Sequence, residues 1–161
     1  MSIISKIMSV LVGEETEPAV SVERFQPALD DLLELSHLWR PGRIDAEDLM
    51  YAATDGDDWE LVWVARYEGQ QTIAGYVVAT RQGDRLEILD AQPADGQFAG
   101  HLLSAMLACV VEFARLYRMN LAIELDEGSI LEREVAARGF TRLEGLAAVS
   151  GVVYTLDRFE S

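Results

Sequence analysis

The sequence predicts an α/β (α+β) fold: a mixed, mostly antiparallel, twisted sheet of about seven strands with helices on both faces. Three observations predict it. Short runs rich in β-branched and aromatic residues take turns along the chain with segments whose apolar residues recur every three or four positions. Turn sequences such as Glu68-Gly-Gln-Gln71 and Gln82-Gly-Asp84 separate neighbouring runs by only a few residues, which makes hairpins. The stretch Arg85–Leu125 reads strand, loop, long helix, strand, which predicts a right-handed parallel crossover.

Each element has its own reason. Ala19–Gln26 alternates Val20 and Val22 with polar residues and reads as the first strand. Pro27 suits the first turn of a helix, and Leu29, Leu32, Leu33 and Ser36 mark its predicted inward stripe. Arg40-Pro-Gly-Arg43 breaks that helix, and Asp45 caps a second one running through Tyr51. Asp55-Gly-Asp-Asp58 is a turn. Trp59–Tyr67, Thr72–Arg81 and Arg85–Gln92 are the next three strands. A helix from about Phe98 to Arg118 carries Leu103, Met106, Leu107, Val110, Ala114 and Tyr117 at helical spacing. Asn120–Leu125 is a strand. Ser129 and Glu132 form a capping box for a helix that stops at Gly139. Phe140–Leu143 and Val149–Leu156 close the sheet. The predicted order is β-α-α-β-β-β-α-β-α-β-β.

Residues 19–161 thus form one domain, preceded by residues 1–18 as an amphipathic segment and acidic linker. Ile3, Ile4, Ile7, Met8, Leu11 and Val12 fall at helical spacing. Two readings of residues 2–12 stand: a helix packed on its own domain or on a second subunit of a homodimer, and a docking peptide for a protein partner. Lys6 interrupts the apolar run and no small-residue cleavage site follows, against a signal peptide. No segment is expected to span a membrane. A cytoplasmic protein is the expectation.

Charge narrows the classes of function. The chain of 161 residues holds 28 acidic and 13 basic residues, a formal net charge of −15. Such a surface repels phosphate backbones and anionic lipid heads, against direct nucleic-acid binding. The acids are scattered rather than ranked along one face, against a mimic of DNA. The single cysteine, Cys109, lies in the apolar periodicity of a helix and reads as a small core residue. His37 and His101 are too few and too far apart for a zinc site, so no metal is expected.

The richest stretch is Leu89-Asp-Ala-Gln-Pro93 running into Gln97-Phe-Ala-Gly-His101 and a long helix. A helix start presents unpaired backbone N–H groups and the positive end of a dipole, which suits an anion such as a phosphate. His101 in that loop reads either as a cation meeting the phosphate or as an exposed first-turn residue. Carboxylates able to act as a base lie on the neighbouring strands. Glu87 is the first candidate. Asp90 is the next, on the opposite face by strand alternation. Glu124 is on the following strand. Trp39, Trp59 and Trp63 are expected to fill the core or a groove between the first helices and the sheet.

From about residue 19 to 157 this order of elements resembles the GNAT (GCN5-related N-acetyltransferase) superfamily, of which the chain looks like a divergent member. Ile73-Ala-Gly-Tyr-Val77 resembles the family's third strand, Leu89-x-Ala-x-Pro93 its fourth strand, Gln97-x-x-Gly100 the start of its acetyl-CoA loop, and Arg138-Gly-Phe140 the end of the helix after the fifth strand. The resemblance implies acetyl-CoA as co-substrate, lying between diverging fourth and fifth strands. Leu89, Ala91, Gln97, Phe98, Ala99, Gly100, His101 and Leu102 would bind it, with its pyrophosphate on the amides from Phe98 to Leu102. Glu87 would be the base, and Tyr154 would stand in as the acid that protonates the thiolate. The acceptor would be a primary amine of a small molecule or protein, and the acidic surface suits a cationic one. Three positions depart from the family pattern. Leu102 takes the place of the loop's second small residue, where its branched side chain would crowd the pyrophosphate. Val135 stands where many members carry the acid tyrosine, and Gly128 stands near a frequent asparagine. These departures frame the alternative, a catalytically degenerate GNAT-fold protein serving as an interaction or structural component, for example of a virion or other assembly.

Overall fold

The computed structural model describes residues 17–26, 29–41, 44–54, 60–143 and 151–157. Among them the order of elements is β1 (Val20–Arg24), α1 (Leu29–Leu38), α2 (Ala46–Thr54), β2 (Glu60–Tyr67), β3 (Gly75–Gln82), β4 (Arg85–Pro93), α3 (Ala99–Leu116), β5 (Asn120–Leu125), α4 (Ile130–Ala137), β6 (Thr141–Arg142) and β7 (Val152–Leu156). The predicted order therefore holds, with boundaries moved by a few residues. The amphipathic segment 2–12, Pro27, the turn at 55–58 and Trp59 lie outside the described residues.

Seven strands form one sheet in the order β1-β2-β3-β4-β5-β7-β6. Every neighbouring pair is antiparallel except β4 and β5, the parallel pair joined by α3. Helices cover both faces. Leu86, Ile88 and Ala91 of β4 and Leu121, Ile123 and Leu125 of β5 meet Leu103, Met106, Leu107 and Val110 of α3. On the other face Val62, Val64, Tyr76 and Val78 meet Leu35 of α1 and Leu49 of α2. Central strands covered twice need apolar residues on both faces. That is why Leu61–Ala65 is buried without a break.

The inward face of α1 differs from the expected one, and Trp63 and Trp39 take the core and groove positions expected of them. The inward stripe of α1 runs through Leu32, Leu35 and Leu38, whereas Leu33 is 54% exposed and Ser36 Oγ donates to Leu33 O. Trp63 lies on the α3 side of the sheet, edge-on to Phe113 at 5.2 Å. Trp39 packs on the α1–α2 side, with Nε1 donating to Ile44 O. α3, with 18 residues and a mean hydropathy of 1.4, meets the length and composition of a membrane span. A core helix passes the same test, and α3 buries Leu102, Leu103, Met106, Leu107, Val110 and Ala114.

Two glycines explain local geometry. A Cβ at Gly75 would stand 3.1 Å from Met106 Sδ and Cε and 3.2 Å from Gln92 O, so the bare position lets Met106 of α3 pack closely on the sheet. Gly139, at φ 88°, turns the chain out of α4 in the left-handed region.

Candidate active site

The site begins where β4 and β5 part. Their pairing covers Arg85–Ile88 against Asn120–Ile123 and then ends. Beyond it β4 stays with β3, while β5 stays with β7 through Glu124 and Leu125. The β3–β4 register shifts there: Val78 faces Asp90 and Ala79 faces Ile88, which leaves Leu89 as an extra, bulged residue. The bulge resets the alternation of β4. Leu86, Ile88 and Ala91 all enter the α3-side core, and Leu89 packs on the α1–α2 side. Asp90 therefore shares the α1–α2 face with Glu87, which corrects the expectation of opposite faces.

Between the parted strands lies a cleft of about 180 Å³. Leu89, Ala91, Ile123, Leu125 and Leu131 make its apolar lining, and Asp90, Glu124 and Asp126 bring three carboxyl side chains. Pro41, from the α1–α2 link, closes one side. Asp90 accepts from Tyr76 Oη at 3.0 Å on Oδ2 and from the Ala91 N–H at 2.9 Å on Oδ1. Tyr76 is fully buried. Its burial first, then the neighbouring Asp90 charge and hydrogen bond, push its pKa far above the ordinary tyrosine value, so it remains a donor. Glu87 is partly exposed and sits opposite Ala122 in the paired region, below the opening.

The start of α3 approaches α4 at Ile130, between the cleft residues Ser129 and Leu131. Phe98 occupies the N-cap position without a side-chain cap, and its ring meets Tyr67 edge-on at 6.5 Å. The Ala99 N–H donates to Gly96 O at 3.3 Å and the Leu102 N–H to Phe98 O at 2.9 Å. Among the described residues, the amides of Gly100 and His101 have no such acceptor. The cradle is thus narrower than the Phe98–Leu102 span expected from sequence. Leu102 is 1% exposed and points into the core, so it does not crowd the cradle. Gln97 is exposed.

His101 is engaged at both ring nitrogens. Its Nε2 lies 2.8 Å from Pro18 O and its Nδ1 lies 3.1 Å from Glu17 Oε2, so the ring ties the chain entering β1 to the first turn of α3. A second carboxylate is near: a Cβ at Gly100 would lie 3.7 Å from Glu134 Oε1 on α4.

Tyr154 is not among the residues that line the cleft. It is buried on the α3 side, and its hydroxyl donates to Glu132 Oε2 at 3.1 Å. Burial, followed by the Glu132 hydrogen bond and charge, pushes its pKa up. Val135 is fully buried. The α4 cap holds one wall of the cleft: Ser129 Oγ accepts from the Glu132 N–H, and Glu132 Oε1 accepts from the Gly128 N–H at 2.8 Å. Among the described residues, no group of histidine, cysteine, aspartate and glutamate is placed to hold a metal ion. Sequence reasoning missed the Tyr76–Asp90 pair, Asp126 and Pro41, because none of them belongs to a short motif.

No family model matches the chain, and no curated protein matches it by sequence. Solved structures do match. A putative acetyltransferase of the GNAT family from Desulfovibrio desulfuricans superposes with a TM-score of 0.69 at 20% identity, over 86% of this chain and 99% of that one. The PaiA N-acetyltransferase from Thermoplasma acidophilum, in complex with coenzyme A, gives 0.68 at 11% identity, over 85% and 99%. Aminoglycoside 6′-acetyltransferase type Ii gives 0.69 at 11% identity, over 88% and 99%. Likeness at such identities establishes architecture, and the chain has the GNAT acetyltransferase fold.

Proposed function

We propose that the protein is an acyl-CoA-dependent N-acyltransferase that moves an acetyl group from acetyl-CoA to a primary amine of a small molecule or protein. The observation that carries this reading is the cleft: β4 and β5 separate immediately after Ile88 and Ile123, and the Gly100 and His101 amides at the start of α3 have no backbone acceptor among the described residues. A helix start of this kind fits a pyrophosphate. Leu89, Ala91 and Ile123 give an apolar channel for the acyl-bearing arm. The structures sharing this fold include one in complex with coenzyme A.

The residues divide the chemistry. An ammonium entering from the α1–α2 face meets Asp90, whose orientation Tyr76 and the Ala91 amide hold. The amine must give up a proton before its nitrogen can attack the thioester carbon. We assign the first contact to Asp90 and the onward path of the proton to Glu87 on the same face. The C–N bond forms, the C–S bond breaks, and the thiolate takes a proton. Because the Tyr154 hydroxyl is engaged with Glu132, we assign that last proton to solvent at the cleft mouth. The three carboxyl side chains in the cleft suit a cationic acceptor.

One observation favours a second reading, a non-catalytic interaction or structural module. Glu17 and Glu134 both stand near the first turn of α3, where a pyrophosphate would sit. Release of free CoA thiol from acetyl-CoA separates the two. The enzyme predicts release that depends on protein and saturates with spermidine or a lysine-rich peptide. No release with any primary amine at millimolar acetyl-CoA favours the module.

A further inference from the structure

The far end of the sheet holds a cavity of about 170 Å³ lined by Arg24, Leu61, Arg81, Phe113, Tyr117 and Met119. It shares no residue with the cleft between β4 and β5. Its place follows from the topology. Arg24 ends β1, Leu61 lies at the start of β2 and Arg81 lies near the end of β3, so three neighbouring strands contribute at one end. The last turn of α3 supplies Phe113, its C-cap is Tyr117, and Met119 leads the chain into β5.

The lining combines flat rings with unpaired cations. Phe113 stands edge-on to Trp63, and its centroid lies 4.5 Å from that of Tyr117. Arg24 Cζ lies 5.4 Å from the Trp63 ring centroid and 6.0 Å from that of Phe113. Stacking of this kind holds a guanidinium in place and leaves its N–H donors in the ring plane unused. Nearby, Arg85 pairs with Asp157 and Arg115 with Glu112. Arg24 and Arg81 have no carboxylate within ion-pair distance among the described residues. In a chain with 28 acidic and 13 basic residues, this cavity therefore leaves two arginines open to a carboxylate from outside. Leu61 and Met119 are buried and give an apolar floor.

We propose that this cavity binds a small aromatic carboxylate, its ring against Phe113 and Tyr117 and its carboxylate on Arg24 and Arg81. The size agrees: an apolar cavity of about 150 Å³ holds one benzene molecule. The rings supply offset or edge contacts, and the guanidinium fork matches the two carboxylate oxygens. The site is independent of the acyltransferase reading.

The test is titration of the full chain with benzoate, benzamide and acetate, followed by the backbone amide resonances of Tyr117 and Met119. Benzoate should shift them saturably with a dissociation constant on the order of 1 mM, and roughly tenfold more tightly than neutral benzamide. Acetate, which lacks the ring, should bind more weakly than benzoate. Arg81→Met changes an exposed side chain and should lower benzoate affinity by roughly threefold or more while leaving that of benzamide unchanged. Tyr117→Ala should weaken both aromatic compounds alike. No saturable shift with benzoate up to about 20 mM overturns the proposal. Equal affinities for benzoate and benzamide, acetate binding as tightly as benzoate, or a benzoate affinity that Arg81→Met leaves unchanged overturns it as well.

Discussion

Tyr76 Oη and Asp90 Oδ2 lie 3.0 Å apart, a hydrogen bond that joins the buried start of β3 to the residue after the bulge of β4. It aims a carboxylate into the cleft from a side chain with 0% exposure. Tyr76→Phe removes a donor that holds Asp90. We expect about 1 kcal/mol of lost stability in chemical denaturation. Amine-dependent CoA release should fall with it.

The same pair sets an alkaline limit. Burial raises the pKa of Tyr76 in the folded state above its unfolded value of about 10. The folded protein therefore binds this proton more tightly than the unfolded chain does. The resulting stability is fully present below about pH 10 and is lost as pH rises above that value. Denaturation midpoints should decline above pH 10, and the decline should be shallower in Tyr76→Phe. Equal slopes for the two proteins would contradict this assignment.

Gly75→Ala should destabilise the protein by about 1–3 kcal/mol, the cost of overpacking. Its Cβ would press on Met106, which is a flexible neighbour, and on the Gln92 carbonyl, which is not. Met106→Ala should recover part of the loss when combined with it, a coupling that a double-mutant cycle measures.

Leu102→Ala should cost about 2–5 kcal/mol through the cavity it leaves. Its side chain is 1% exposed in the α3-side core. Acetyl-CoA affinity should be unchanged at temperatures where the variant is folded. A gain in affinity would mean that the leucine crowds the cradle after all.

Ser129→Ala should cost about 1 kcal/mol by removing the acceptor for the Glu132 amide. Ser129 and Leu131 also form part of the cleft wall, so looser binding of acetyl-CoA should accompany the loss. Thermal denaturation with and without acetyl-CoA separates the two effects.

What could be read from sequence follows from how local each signal is. The α4 cap, its stop at Gly139 and the parallel crossover through α3 depend on residues a few positions apart, and they stand as expected. The stripe of α1 was misplaced because Leu32, Leu33 and Leu35 all satisfy helical spacing, and only the sheet beneath selects Leu35. The face of Asp90 was misplaced because alternation presumes a regular strand, and the bulge at Leu89 is visible only in its pairing with β3. His101 and Tyr154 depend on partners 83 and 22 residues away, Pro18 and Glu132, which no spacing rule connects to them. The strand, loop and helix start from Leu89 to Leu102 were legible in outline. Which of the amides there are already engaged was not, since that depends on the turn at Gly96 and Phe98.

The most direct measurement is a calorimetric titration of the full chain with acetyl-CoA, repeated on Gly100→Trp, whose indole would collide with α4 at Ile130 and Glu134 beside the cradle. The account predicts micromolar binding by the wild type and none by the variant, with the variant's fold confirmed by circular dichroism. No heat of binding from the wild type at millimolar acetyl-CoA would contradict it.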